Sequence, residues 1–186
     1  LAVINNNSNL KLTNVLLNES RIGFVEVLNK MNCLITKSNE SVHNGEKVGD
    51  LTVSASNLKA IEIESETIPS IIDEVPILAV VAAFAKGTTV FKNVEELKYK
   101  ECDRLSAIIH NLKAFGIKAY EKNNDLFVEG GKVKRMPKIT TFDDHRIAMA
   151  FTIFSLTYFK KYELDNTQCV DISLPNFFNY LSEVTK

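Results

Sequence analysis

Apolar and polar positions follow two rhythms along this chain, and each change of rhythm marks an element. Residues 1–4 and 10–17 read as short extended segments on either side of a polar run. From Glu19 the spacing of Ile22, Val25, Leu28 and Met31 is close to helical, and residues 33–36 return to strand-like types. A loop containing Asn44-Gly45 and Gly49 is expected over 37–50, then strands at 51–54 and 60–63. The strongest helix signal spans 68–87, a continuous apolar stretch behind Asp73-Glu74 with Pro76 in its first turn and Gly87 as its stop. A helix apolar on all sides belongs inside the protein.

A strand at 88–94 leads into a second helix, with Leu105, Ile108, Ile109 and Leu112 on one face and Phe115-Gly116 at its end. A hairpin follows, 117–120 and 126–129 around Asn123-Asn124-Asp125, and then a basic connector over 132–138. Ile147, Ala150, Phe151, Phe154 and Tyr158 mark a third helix, before a short strand at 162–164 and a closing helix at 175–184. Leu28, Met31, Asn32 and Cys33 line up with Leu112, Phe115, Gly116 and Ile117, a weak internal repeat.

Composition narrows the function classes. With 186 residues and 45% hydrophobic content the chain can bury a sizeable core. Its 22 basic and 23 acidic residues leave a net charge of -1, so electrostatic work falls to local clusters, which argues against a general nucleic-acid binder. The connector's basic residues lack interleaved aromatics for stacking bases. Three cysteines without CxxC spacing fit free thiols in a reducing cytoplasm. His43, in the expected loop, has no neighbour spaced to share a metal and reads as solvent-exposed. The longest apolar run is too short for a bilayer, and the first residues lack the features of a signal peptide.

Charge crowds three helix starts. Lys98-Tyr99-Lys100-Glu101-Cys102-Asp103-Arg104 runs directly into the second helix, where free N–H groups and the positive dipole end collect. A Lys and an Arg there could cradle a phosphate or carboxylate; a solvated first turn is the plain alternative. Asp73 and Glu74 at the mouth of a core helix suit either capping or proton transfer, capping being the commoner role. In Asp143-Asp144-His145-Arg146 either aspartate can cap, and Arg146 opposes the dipole, a cost that an anionic ligand or a salt bridge to Asp143 would offset.

Three segments in order carry a more specific signal: Ile71-Ile72-Asp73-Glu74-Val75-Pro76, Lys98-Tyr99-Lys100-Glu101-Cys102-Asp103-Arg104-Leu105 and Asp144-His145-Arg146-Ile147-Ala148-Met149-Ala150. Together they resemble the C-terminal part of the 5-enolpyruvylshikimate-3-phosphate synthases, along nearly the whole chain. The resemblance implies an α/β fold of the inside-out barrel type, built from repeated strand-helix units. It implies one C-terminal domain over 1–186, with units at about 1–65, 66–131 and 132–186, and an absent N-terminal domain. The implied reaction transfers the enolpyruvyl group of phosphoenolpyruvate to the 5-hydroxyl of shikimate 3-phosphate, within aromatic amino-acid biosynthesis, and needs no metal or organic cofactor.

By the same resemblance Asp73 is the acid/base group at the 5-hydroxyl, and Glu101 exchanges a proton with the methylene carbon. Lys100 contacts shikimate 3-phosphate. Arg104 and Arg146 grip phosphoenolpyruvate, a task suited to planar guanidiniums that bind anions bidentately. His145 is a supporting neighbour. Some members carry a Lys where this chain has Ile172, before Ser173-Leu174-Pro175, so one phosphoenolpyruvate contact is not carried over. The implied protein is cytoplasmic and monomeric at full length, without nucleic-acid or membrane partners. Rival readings are a related UDP-sugar enolpyruvyltransferase, which the joint motifs fit poorly, and an incomplete half-enzyme that acts only as a binding module.

Overall fold

The computed structural model describes residues 1–5, 7–18 and 21–185. In chain order the elements are β1 (Asn9–Leu16), α1 (Gly23–Lys30), β2 (Leu34–His43), β3 (Glu46–Ser54), β4 (Glu62–Ile63) and α2 (Val75–Ala82). There follow β5 (Thr88–Phe91), α3 (Arg104–Phe115), β6 (Lys118–Lys122), β7 (Asp125–Glu129), α4 (His145–Phe159) and α5 (Phe177–Val184). The strands form two sheets, an antiparallel β1-β3-β2 and a mixed β4-β5-β7-β6 in which β4 runs parallel to β5.

Helices fill the interior and sheets face outward. Every residue of α2 except Ile77 is buried, as an all-apolar helix requires, and α2, α3 and α4 pack on one another. Phe115 of α3 meets Phe154 of α4 edge-on at 4.6 Å between ring centroids, and Phe151 and Leu105 are fully buried in the same cluster. Truncating such a phenylalanine costs about 3–5 kcal/mol, so this junction ties the C-terminal end of α3 to the second half of α4. This is the mixed α/β, helices-inside arrangement that was expected, with the strands in two separate sheets among the described residues.

Several elements depart from their predicted form. Residues 1–4 are a turn, in which the N–H groups of Ile4 and Asn5 both donate to Leu1 O, rather than a strand. Glu19, where the first helix was expected to begin, lies outside the described residues. The expected loop over 37–50 is instead the two arms of a hairpin turning at Asn44-Gly45, whose φ values are 52° and 84°. Most of β2 is exposed, so no apolar alternation betrayed it, and His43 at its end is indeed exposed. The helix expected over 68–87 is broken: a 3-10 turn at Ile68–Ser70 and a bend precede α2, which ends at Ala82. Pro76 is tolerated in the first turn but would clash with an extra turn upstream, so Asp73 stays outside the helix. The strand expected at 162–164 reduces to a single bridge between Ile139 and Leu164.

Both helices that suggested a repeat end alike. Asn32 and Gly116 take left-handed φ values of 70° and 88°, and the next N–H in each case reaches back five residues, Cys33 to Leu28 O at 3.0 Å and Ile117 to Leu112 O at 2.9 Å.

In the first sheet, β1 and β2 each bulge against the central strand, at residues between Leu12 and Val15 and between Ser38 and Ser41. Asp50 of β3 serves both bulges, accepting from Asn14 N at 3.0 Å and Asn39 Nδ2 at 2.7 Å, with Lys11 Nζ at 2.9 Å. Hydrogen bonds from Lys11, Asn14 and Asn39 lower its pKa to about 2. A carboxylate depressed on folding stabilises above its unfolded value of about 3.9, and that contribution is lost as pH falls through about 2. We therefore expect urea midpoints to drop between about pH 4 and pH 2, and Asp50→Asn to lower the midpoint at pH 7 while flattening that slope. An unchanged acid slope in the variant would remove Asp50 from this role.

Candidate active site

The three charged helix starts meet. Arg104 is the first residue of α3, Arg146 the second of α4, and Asp73 lies two residues before α2. The Arg104 side chain is 0% exposed, and three carboxylates surround it. Its Nε donates to Asp144 at 2.7 Å, Nη1 to Asp73 Oδ1 at 3.0 Å and Nη2 to Glu101 at 2.5 Å. Burial works against its charge, but the bonds and charges of Asp144, Glu101 and Asp73 outweigh it and raise its pKa above the ordinary value.

Asp73 joins the two arginines. Its Oδ2 accepts from Arg146 Nη2 at 3.1 Å, and its main-chain oxygen accepts from Nη1 of the same guanidinium, also at 3.1 Å. It makes no capping bond to α2, and Glu74 at the cap position makes none either, so the capping expectation gives way to ion pairing. Arg146 pairs with Asp73 rather than with Asp143. Asp73 and Glu101 keep 43% and 53% of their side-chain surface exposed, so both carboxylates can touch a substrate, whereas Arg104 is reached only through them.

Asp144 caps α4, accepting from Arg146 N at 2.8 Å and Ile147 N at 3.2 Å through Oδ1, while Oδ2 holds Arg104. The sequence offered it only as a possible cap. Its link to Arg104 spans forty residues of chain and has no local signal. Cys102 Sγ lies 3.7 Å from the same oxygen; burial, followed by the Asp144 charge, pushes that thiol up to about 12, which disfavours the thiolate at neutral pH.

The remaining predicted residues lie at the edges. Lys100 pairs with Glu96 at 2.5 Å one turn earlier rather than with the central cluster, and Lys98 reaches Glu121 of the β6–β7 hairpin at 2.7 Å. His145 is half-buried at the first position of α4. Beside Asp73, Glu74 and Arg146 lies an apolar groove of ≈ 200 Å³ floored by Pro76, Ile77 and Met149, and a polar notch of ≈ 100 Å³ that adds Arg21 and Ser70. Arg21 was not singled out from the sequence. No group of three or more His, Cys, Asp or Glu able to hold a metal occurs among the described residues.

Residues 1–181 match the family model of EPSP synthase (3-phosphoshikimate 1-carboxyvinyltransferase). The chain belongs to the EPSP synthase family. It is 44% identical over 184 residues to a 3-phosphoshikimate 1-carboxyvinyltransferase of Clostridium tetani, and 43% identical to one of Petrotoga mobilis. These alignments cover 98% of this chain but 42% and 43% of the relatives, so the chain spans less than half their length. The EPSP synthase of Acinetobacter baumannii superposes with a TM-score of 0.91 at 32% identity, over 98% of this chain and 43% of that one. The enolpyruvyl transferase NikO from Streptomyces tendae shares the fold, with a TM-score of 0.66 at 16% identity over 98% of this chain and 40% of that one.

Proposed function

We propose that this chain carries one half of an enolpyruvyl-transfer site, the half that moves the protons and holds the phosphoenolpyruvate anion. The acceptor is the 5-hydroxyl of shikimate 3-phosphate, and the products are 5-enolpyruvylshikimate 3-phosphate and phosphate. The observation that carries this reading is the single carboxylate, Asp73, held between two guanidiniums from different helix starts and still open to solvent. Asp73 takes the hydroxyl proton as that oxygen bonds to C2 of phosphoenolpyruvate, and Glu101 exchanges a proton with the methylene carbon. A proton of the new methyl group then returns to Glu101, the carbon–carbon double bond re-forms and the C2–O bond to phosphate breaks. Lys100, released from Glu96, contacts shikimate 3-phosphate, and His145 supports the site.

Arg104 and Arg146 take the carboxylate and phosphate of phosphoenolpyruvate, which must displace Glu101 and Asp73 from the guanidinium edges. Three carboxylates against two guanidiniums leave the cluster net negative, so an anion gains little until further positive charge arrives. We assign that charge, and the closure that excludes water, to the region by which the relatives exceed this chain. The same reading makes residues 1–186 one C-terminal domain of three repeat-like units at about 1–65, 66–131 and 132–186, supported by the matching ends of α1 and α3. It places the full-length protein in the cytoplasm as a monomer, without nucleic-acid or membrane partners, in keeping with its near-neutral charge and free cysteines.

The purified chain should release no phosphate above background from shikimate 3-phosphate and phosphoenolpyruvate. Mixing it with the complementary N-terminal segment of the Clostridium tetani relative should restore release, and a UDP-sugar acceptor should not. Turnover by the 186 residues alone would refute the half-site statement. A stable, mixed complex that binds neither substrate would refute the reaction.

A further inference from the structure

The loop that carries Asp144 to Arg104 is fastened by a side chain outside every motif. Asn111 of α3 is wholly buried, on the same face as Arg104, Leu105, Ile108 and Phe115. Its Nδ2 donates to Thr140 O at 2.9 Å while its Oδ1 accepts from Thr140 N at 3.1 Å, the two-bond pairing that an adjacent strand would provide. The second Nδ2 hydrogen goes to Ala107 O at 3.0 Å within the helix. An apolar side chain would suit this buried position better unless the amide were needed, because burying an amide is costly when its bonds are not made.

The loop beyond Thr140 needs such an anchor. Thr141 is tied separately, its N–H and hydroxyl donating to Asp165 at 2.9 and 2.7 Å. Phe142 and Asp143 then take φ values of 53° and 56°, left-handed for two successive residues that are not glycine, which persists only when the surroundings over-determine it. Asp144 comes next and meets Arg104. Asn111 stands seven residues after Arg104, two helical turns along the same buried face. One rigid helix therefore holds both the arginine and the clamp for its partner's loop.

We propose that Asn111 is a positioning residue of this site: by pinning Thr140 it lets α3 set the distance between Asp144 and Arg104. Its meaning for catalysis rests on the enolpyruvyl-transfer reading, but its test reads geometry alone and uses no substrate. Cys102 is the reporter, since its thiol lies against Asp144, and Cys33, buried elsewhere, is the internal reference. Iodoacetamide alkylation of each cysteine, resolved by peptide mass spectrometry from about pH 7 to pH 11, gives a pH profile for both. In Asn111→Ala the Cys102 profile should move down by about one pH unit or more, raising its rate at pH 9 about tenfold, while Cys33 stays within about twofold. An unchanged Cys102 profile in the folded variant would overturn the proposal, as would a parallel rise at both cysteines, which is the mark of global loosening. Should the alanine variant not fold, Asn111→Asp decides. It keeps the acceptor for Thr140 N but loses the donor to Thr140 O, and must show the same selective shift. The enolpyruvyl-transfer reading fails separately, in the phosphate-release experiment.

Discussion

Arg104→Ala should lower the stability of the chain by about 3–5 kcal/mol, seen as a matching fall in the urea midpoint at constant slope. The size follows from what is left behind. Asp144 is 0% exposed and would keep only two main-chain donors and the weak Cys102 thiol, while Asp73 and Glu101 would face it across a vacated centre. Removing one partner from a buried ionic group is costly because the others cannot return to water, unlike exposed pairs such as Lys118–Glu129, whose charges stay hydrated and contribute little. Against a total stability of about 5–15 kcal/mol this is a large share. Arg104→Lys should cost less, about 1–3 kcal/mol, since an ammonium keeps the charge but cannot serve three carboxylates in one plane. A loss below about 1 kcal/mol for alanine would mean that Arg104 is not the hub of the site.

Asp73→Asn, placed in the two-part enzyme, should cut kcat for phosphate release by about 10²–10⁴, the usual share of a general acid/base. Stability should change little, because Asp73 is substantially exposed and the amide oxygen still accepts from one arginine. That combination separates the two roles its position allowed. A capping carboxylate would affect the start of α2 and leave turnover alone; a proton-transfer group does the reverse. Near-normal kcat in the variant would pass the proton to another group, with Glu101 next in line by its exposure and its place on Arg104.

The two predictions turn on features of unequal legibility. Asp73, Glu101, Arg104 and Arg146 could be named from motif order, and the fold places all four in one cluster. Lys100 was named with equal directness, yet its ammonium lies on Glu96, an i,i+4 partner that the local sequence also contained. The bonds of Asn111 to Thr140, of Asp144 to Arg104 and of Asp165 to Thr141 leave no mark in motif or periodicity, because each acts across tens of residues.

Among the secondary elements, α3 and α4 were readable from their apolar faces, and at α4 a capping aspartate agrees with that face. Of the β2–β3 hairpin only the outer ends, near 33–36 and 51–54, were readable, since the exposed arms over 37–50 have no alternation to show. The break before α2 was hidden for the opposite reason: an apolar run looks the same as helix, turn or buried strand, and only packing selects among them.

By itself, then, the sequence determined which charges stand at which helix starts, because capping and amphipathic spacing are local properties carried by neighbouring residues. Only the tertiary structure decided that Arg104 would be buried and saturated by Asp73, Glu101 and Asp144 rather than left open for a ligand. The pairing of charges depends on distances through space, and those are set when α2, α3 and α4 close on their shared core.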